Sequence, residues 1–349
     1  MRIQFRAISS TAKRPSPKNK HNWRNQSFVN KRFESEGANR FKMEDRKTQA
    51  SNGDIYTPDS AGLGSHDLYL NLTRLVSGNE NVNPVLTQKY IDRAIDLSRD
   101  NKISSKDFSL LLHLTVKLPI PTDPLLRELR RKVQKNHKFT NQMVPTDIAI
   151  IFNSLTKLTK KDTSLTGICR DIVRRLSDEI PIKISLYENH QLAQVLHALS
   201  TLEIRDPVII IEIVREIELA RDLDSFNSQS VVMIATALSR QTPLKQGQDT
   251  TDVVAGIWES IMIRACSIPR SEMQANWPDV LLTAVAFGGL GKDQINADFI
   301  QKMVTETCHQ FAVQKIGKSR IAKAIDALIR MQVNGEQIHR LRRLSHLSS

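Results

Sequence analysis

Five basic side chains recur at one position of a repeating segment: Arg74, Lys117, Lys157, Arg240 and Arg330. Thr201 and Gly289 hold that position in two further copies. Cations brought into register by stacked repeats form a row suited to the phosphates of a nucleic-acid strand. Such contacts hold a strand without reading its sequence. The position also falls near the end of a predicted helix, where Lys and Arg favour the negative end of the helix dipole, so a purely structural role explains the pattern equally well. One helical turn earlier come His113, Asn153, His197 and Thr236, with Asp326 in another copy and Leu70 and Val285 in the remaining two. Asn, His and Thr can each meet a base edge, as in helical repeats that read one base apiece. An ordinary polar helix flank is the competing explanation.

Other chemistry finds little support. Gly288-Gly289-Leu290-Gly291-Lys292-Asp293 resembles a phosphate loop only superficially. The full frame requires Gly where Ala286 stands, Ser or Thr where Asp293 stands, and a preceding strand. It is better explained as a helix end with a left-handed glycine. Ser154-Leu155-Thr156-Lys157 has Ser-x-x-Lys spacing without its companion motifs. His113 and His197 have no second ligand at helical spacing. We therefore expect no catalytic residue, no metal and no cofactor.

The elements that must carry these positions are amphipathic helices. Leu192, Val195, Leu196, Leu199 and Leu202 fall three, four and seven apart, on one helical face. The same offsets recur around Leu72, Thr115, Leu155, Leu238, Phe287 and Leu328, at steps of 43, 40, 44, 39, 49 and 41 residues in chain order with Leu199 included. The copy around Leu238 fails only at Gln241, which opens a polar loop expected over 241–249. A small residue precedes the central position in five copies (Ser154, Ala198, Ala237, Ala286 and Ala327), allowing a neighbouring helix close approach. Second helices are expected from Asp206-Pro207 and Asp123-Pro124, where Asp and Pro suit a helix start, and over about 86–97, 165–180, 253–268 and 299–311. The stretch from Val208 to Leu219 is apolar around most of its girth and predicts a helix buried between neighbours. Sustained strand alternation is missing. The expected fold is all-α: an α-solenoid of about seven helix-pair repeats over residues 65–349, since a period of this length marks stacked helical arrays.

Composition agrees. Three cysteines stand far apart, with no metal or disulfide framework. No apolar run is long enough to span a membrane. The net charge is +13, of which residues 1–65 supply +7 (13 Lys/Arg against 6 Asp/Glu) and the remainder +6 (37 against 31). Further basic groups, from Arg127, Arg130, Arg131, Lys132, Lys135 and Lys138 through Lys160, Lys161, Arg170, Arg174 and Arg175 to Arg340, Arg342 and Arg343, could widen a phosphate-binding surface. Acidic residues from Glu203 to Asp224 interrupt it and offer a place for a protein partner.

Residues 1–64 are expected to be a disordered basic segment. Nine Lys/Arg precede the first acidic residue, Glu34, among scattered Ser and Thr. That is the composition of a mitochondrial or plastid transit peptide; a disordered basic tail that binds RNA or nothing specific, in a cytoplasmic protein, is the alternative. Residues 34–64 read as a polar linker.

The segment Gln194-Val195-Leu196-His197-Ala198-Leu199-Ser200-Thr201-Leu202 resembles the repeats of organellar helical-repeat RNA-binding proteins. Ile150-Ile151-Phe152-Asn153-Ser154-Leu155-Thr156-Lys157-Leu158 and Met233-Ile234-Ala235-Thr236-Ala237-Leu238-Ser239-Arg240 are similar. The likeness is to the FAST-kinase-like, octotricopeptide and heptatricopeptide arrays often found with a RAP domain, and covers residues 65–331. It implies a non-enzymatic protein that binds single-stranded or ribosomal RNA, with ribosomal or other organellar proteins as further partners, in mitochondrial RNA processing, translation or ribosome assembly. Only 18 residues follow Met331, too few for a RAP domain, so no nuclease activity is carried over. A protein-binding scaffold of HEAT or TPR type is the alternative.

Overall fold

Each amphipathic stripe in the sequence becomes a helix whose apolar side is covered by the next copy of the same helix. In the computed structural model, which describes residues 62–77, 83–241, 248–333 and 335–346, sixteen α-helices with a few short 3-10 and π turns make up the regular structure, and no strand occurs among the described residues. They are α1 (Ser65–Ser77), α2 (Pro84–Arg99), α3 (Ser105–Thr115), α4 (Asp123–Lys135), α5 (His137–Asn141), α6 (Pro145–Lys161), α7 (Thr166–Ser177), α8 (Glu179–Lys183), α9 (Asn189–Thr201), α10 (Pro207–Arg215), α11 (Ser228–Gln241), α12 (Gln248–Ser267), α13 (Trp277–Phe287), α14 (Ala297–Ala312), α15 (Lys318–Arg330) and α16 (Gly335–His346). All belong to one unit, Thr57–Ser349. The expectations for the basic segment and most of the linker lie outside the described residues.

The order of packing is regular. Helix α1 packs on α3, α3 on α6, α6 on α9, α9 on α11, α11 on α13 and α13 on α15. The intervening helices follow a parallel succession: α2 on α4, α4 on α7, then α8, α10, α12, α14 and α16. Members of the two series also pair, as α1 with α2, α6 with α7 and α9 with α10. The core is the line of central leucines and their flanks. Leu72, Leu155, Leu199, Leu238 and Leu328 are all buried, as are the small residues Ser154, Ala198, Ala237 and Ala327 beside them.

Local chemistry fixes the helix ends. Asp206 accepts from the Val208 and Ile209 amides, and Pro207 takes the first position of α10. Asn83 and Asn296 cap α2 and α14 in the same way. Asp123 behaves differently: Thr122 is the cap residue of α4, and Asp123 pairs with Arg127. Asn101, Glu203, Gln314 and Gln332 follow their helices with positive φ, and the residue after each donates back to a carbonyl of the last turn, for example Ile204 N to Leu199 O at 2.9 Å. Gly289 (φ 76°) ends α13 as the sequence predicts.

Three expectations need correction. Val208 and Leu219 are exposed, because α10 is apolar beyond the area that its neighbours cover, and it loosens into a π-turn over Glu216–Ala220. Gln241 is not part of an exposed loop. It is the buried last residue of α11, and its Nε2 donates to Ile204 O at 3.1 Å, which makes a polar group tolerable at an apolar position. The third concerns Phe287 and is taken up with the interface.

A polar seam at the helix N-termini supplements the apolar core. Ser65 Oγ donates to Asp107 (2.7 Å), Ser105 Oγ to Asp147 (3.1 Å), Gln191 Nε2 to Thr146 Oγ1 (3.0 Å) and Arg320 to Asp279 (3.0 Å). Each joins consecutive members of the first series. Asp279 is 1% exposed, and burial pushes its carboxyl above the usual range despite Arg320. Arg320→Ala leaves that carboxylate unpaired and should cost about 3 kcal/mol at neutral pH. The deficit should shrink at acidic pH, because burial raises the Asp279 carboxyl and it takes up its proton before an ordinary aspartate does. Urea unfolding of both proteins at neutral and acidic pH checks this; equal deficits at both would show that the seam charge is immaterial.

Candidate nucleic-acid interface

A helix that buries one side against each neighbour in a series leaves a narrow outer strip. In α9 that strip is Gln194, His197 and Thr201, all half-buried between fully buried neighbours. In α6 it is Ile150, Asn153 and Lys157, and in α11 Met233, Thr236 and Arg240. The row cations therefore share one strip with the residues one turn before them. Arg74, Lys117, Lys157, Arg240 and Arg330 are all exposed. Arg74, Arg240 and Arg330 lie in the last turns of α1, α11 and α15, Lys117 just beyond α3, and Lys157 within α6.

Several of these groups act on one another. Lys157 and Lys117 both bear on His113, whose pKa is lowered by burial first and then by these two charges. His113 lies on α3 and Lys157 on α6, so their fields meet across a helix boundary. Arg240 on α11 lies 3.3 Å from Thr201 Oγ1 on α9. The Arg330 guanidinium stands 4.5 Å from the centre of the Phe287 ring.

Phe287 was expected in the core, and it is 46% exposed. In the second half of α13 the buried residues are Leu281, Leu282, Ala284 and Val285, so Val285 is the central position and Phe287 stands where the other copies carry their cation. Ala284 is then the small residue preceding the centre. The cause is the close approach of Gly288 to α12: a Cβ there would come within 2.7 Å of Trp258 Cζ2. That contact fixes the rotation of α13 and turns Phe287 outward. Gly289 does not occupy the row position. The sequence held a signal, since the step of 49 into this copy was the longest; centring on Val285 makes it 47 and the next 43.

Several of the other basic groups are engaged within the protein. Arg127 pairs with Asp123, Arg130 with Asp171, Arg131 with Glu128 and Arg170 with Glu203. Lys132 is buried, donates to Asn101 and lies over Phe139. Lys161 donates to Leu118 O across 43 residues. These cations satisfy carboxylates and helix-end carbonyls, mostly of neighbouring helices. None of the five row cations forms an ion pair among the described residues, nor do Lys160, Arg175, Arg340 and Arg343.

The presumptive base readers differ in availability. The Thr236 hydroxyl donates to Val232 O within its own helix. Asn153 is half-buried on the strip. His113 Nδ1 is buried without a partner. His197 has the largest perturbation: burial, then the charges of Lys160 and Arg240, hold its pKa at about 4. It is neutral at pH 7, able to donate at one nitrogen and accept at the other. Asp326 is exposed on α15. No helix is long and apolar enough to cross a membrane, and no cluster of metal-ligating groups occurs among the described residues.

No protein-family model matches the chain, and no curated protein matches it at a significant level.

The His197 environment has a direct consequence for stability. Its folded pKa of about 4 lies below the unfolded value near 6.5. Below about pH 6.5 the unfolded chain takes up a proton that the folded chain refuses, so stability falls as pH drops through this window. The loss should approach about 3 kcal/mol near pH 4. Chemical denaturation at pH 7 and pH 5 should show His197→Gln losing less than the parent chain; parallel losses would contradict the assignment.

Proposed function

We propose that the protein is a non-enzymatic α-solenoid of about seven helix-pair repeats that binds single-stranded RNA along the outer strip of its first-series helices. Arg74, Lys117, Lys157, Arg240 and Arg330 hold phosphates in this reading, and the exposed Phe287 ring takes a base. The observation that carries it is the recurrence of exposed cations at one repeat position: none of the five has a carboxylate partner among the described residues, and Arg330 stands over the exposed Phe287 ring. Cations interspersed with aromatic rings suit strands whose bases are free to stack. His113, Asn153 and His197 lie one turn inside, where base edges would come, and Thr236 is the weakest of the four.

The resemblance to organellar helical-repeat proteins and the basic N-terminal segment support a mitochondrial setting, in RNA metabolism, translation or ribosome assembly. Fusing residues 1–64 to a fluorescent reporter tests the address, with plastid or cytoplasmic signal as the opposing outcomes.

A second reading, a protein-binding scaffold, is favoured by exposed apolar side chains elsewhere. Val208 lies in α10 and Leu219 in the π-turn after it, and Ile182 lies in α8 with Leu186 just beyond. Crosslinking in cells, followed by sequencing of attached RNA and identification of co-purified proteins, separates the two.

The RNA reading has a quantitative test. Single-stranded RNA affinity should fall linearly with log salt, by about 0.7 per phosphate neutralised. Replacing Lys117, Lys157 and Arg240 together by Ala should lower that slope by about 2 while leaving thermal stability nearly unchanged. Phe287→Ala should weaken binding by about 1–3 kcal/mol with no change in slope. If these cations serve only the helix dipoles, the triple variant loses stability and keeps its affinity.

A further inference from the structure

A cleft of about 920 Å³ opens between α14 and α16, and none of the row cations described above lines it. Three guanidinium groups line it, Arg270, Arg340 and Arg343, against one lining carboxylate, Glu336. Arg340 and Arg343 are exposed and form no ion pair among the described residues. Arg270 is held in place from behind. Its Nε and Nη2 donate to the carboxylate of Glu306, at 2.9–3.1 Å, and Glu306 is 1% exposed and also paired with Lys302. Its Nη1 is not used in that fork. A guanidinium fixed by a buried carboxylate is prepared for a ligand before the ligand arrives. His309 and His339 add two imidazoles to the wall, and the Nδ1 of His309 is buried without a partner. Ala312, Cys308 and Leu344 supply an apolar side.

We propose that this cleft binds the phosphomonoester of a nucleotide. A carboxylate is satisfied by one guanidinium fork, whereas a phosphomonoester carries about two charges and three terminal oxygens and can engage several at once. Three arginines around one opening match the second. The cleft exceeds the needs of a bare anion and falls within the usual range for small organic ligands. Its apolar side suits the sugar and base. The ligand has two possible sources, a free nucleotide and the phosphorylated 5′ end of an RNA strand, and both present the same group. The site does not depend on the outer strip.

The test uses the full chain and titration calorimetry with adenosine 5′-monophosphate and adenosine, alongside a short single-stranded RNA with and without a 5′-phosphate. The phosphorylated member of at least one pair should bind at least about tenfold more tightly than its unphosphorylated partner. The double variant Arg340→Ala/Arg343→Ala should lose that preference and keep its melting temperature. The triple variant of Lys117, Lys157 and Arg240 should retain it, which separates failure here from failure of the strip. Preference for the mononucleotide alone assigns a free nucleotide; preference in the RNA pair assigns a strand end. The proposal is overturned if phosphate makes no difference in either pair, or if the preference survives in the double variant.

Discussion

The structure depends on one constraint: a single amphipathic helix pair cannot cover its own apolar side, so each must be covered by the next. Leu155 on α6 and Leu199 on α9 are shielded by the helices before and after them, and none of these helices could shed that surface from water alone. The small residues before the central positions follow from this. Ser154, Ala198 and Ala237 let successive helices come close, and a larger side chain there would force them apart.

Because two sides of each first-series helix are consumed by packing, the remaining strip is narrow and repeated. A position on it recurs from one first-series helix to the next, as Lys157 on α6 and Arg240 on α11 do, though Thr201 and Phe287 hold it on α9 and α13. The polar seam at the helix N-termini serves a different purpose. Ser105 with Asp147, and Arg320 with Asp279, demand a specific partner on the next helix, where leucine against leucine tolerates sliding. Burying Asp147 and Asp279 is costly unless these partners are met, so the seam penalises a slipped alignment.

The helices themselves were legible because a 3.6-residue period and Asp-Pro or Asn caps are local signals. The side of the chain on which a residue ends up was legible only where the pattern was clean. Around Leu199 five apolar positions agree, and the strip residues His197 and Thr201 follow directly. In α13 nearly every position is apolar, so the pattern admits more than one rotation, and only the contact of Gly288 with Trp258 selects the one that exposes Phe287. The pairing of cations was not legible for a related reason. Arg130 meets Asp171 and Lys161 meets Leu118 O across 41 and 43 residues, distances at which sequence proximity carries no information.

The ties between helices also share a length scale. Ser65 with Asp107, Lys161 with Leu118, Gln191 with Thr146 and Ser260 with Glu218 all join residues 42–45 apart. A chain emerging from the ribosome thus presents each helix with its permanent neighbour after only a few dozen further residues have been made, within seconds at ordinary rates of synthesis. Folding can advance in step with translation, and the unpaired apolar surface at any moment is confined to the most recent helices at the growing end.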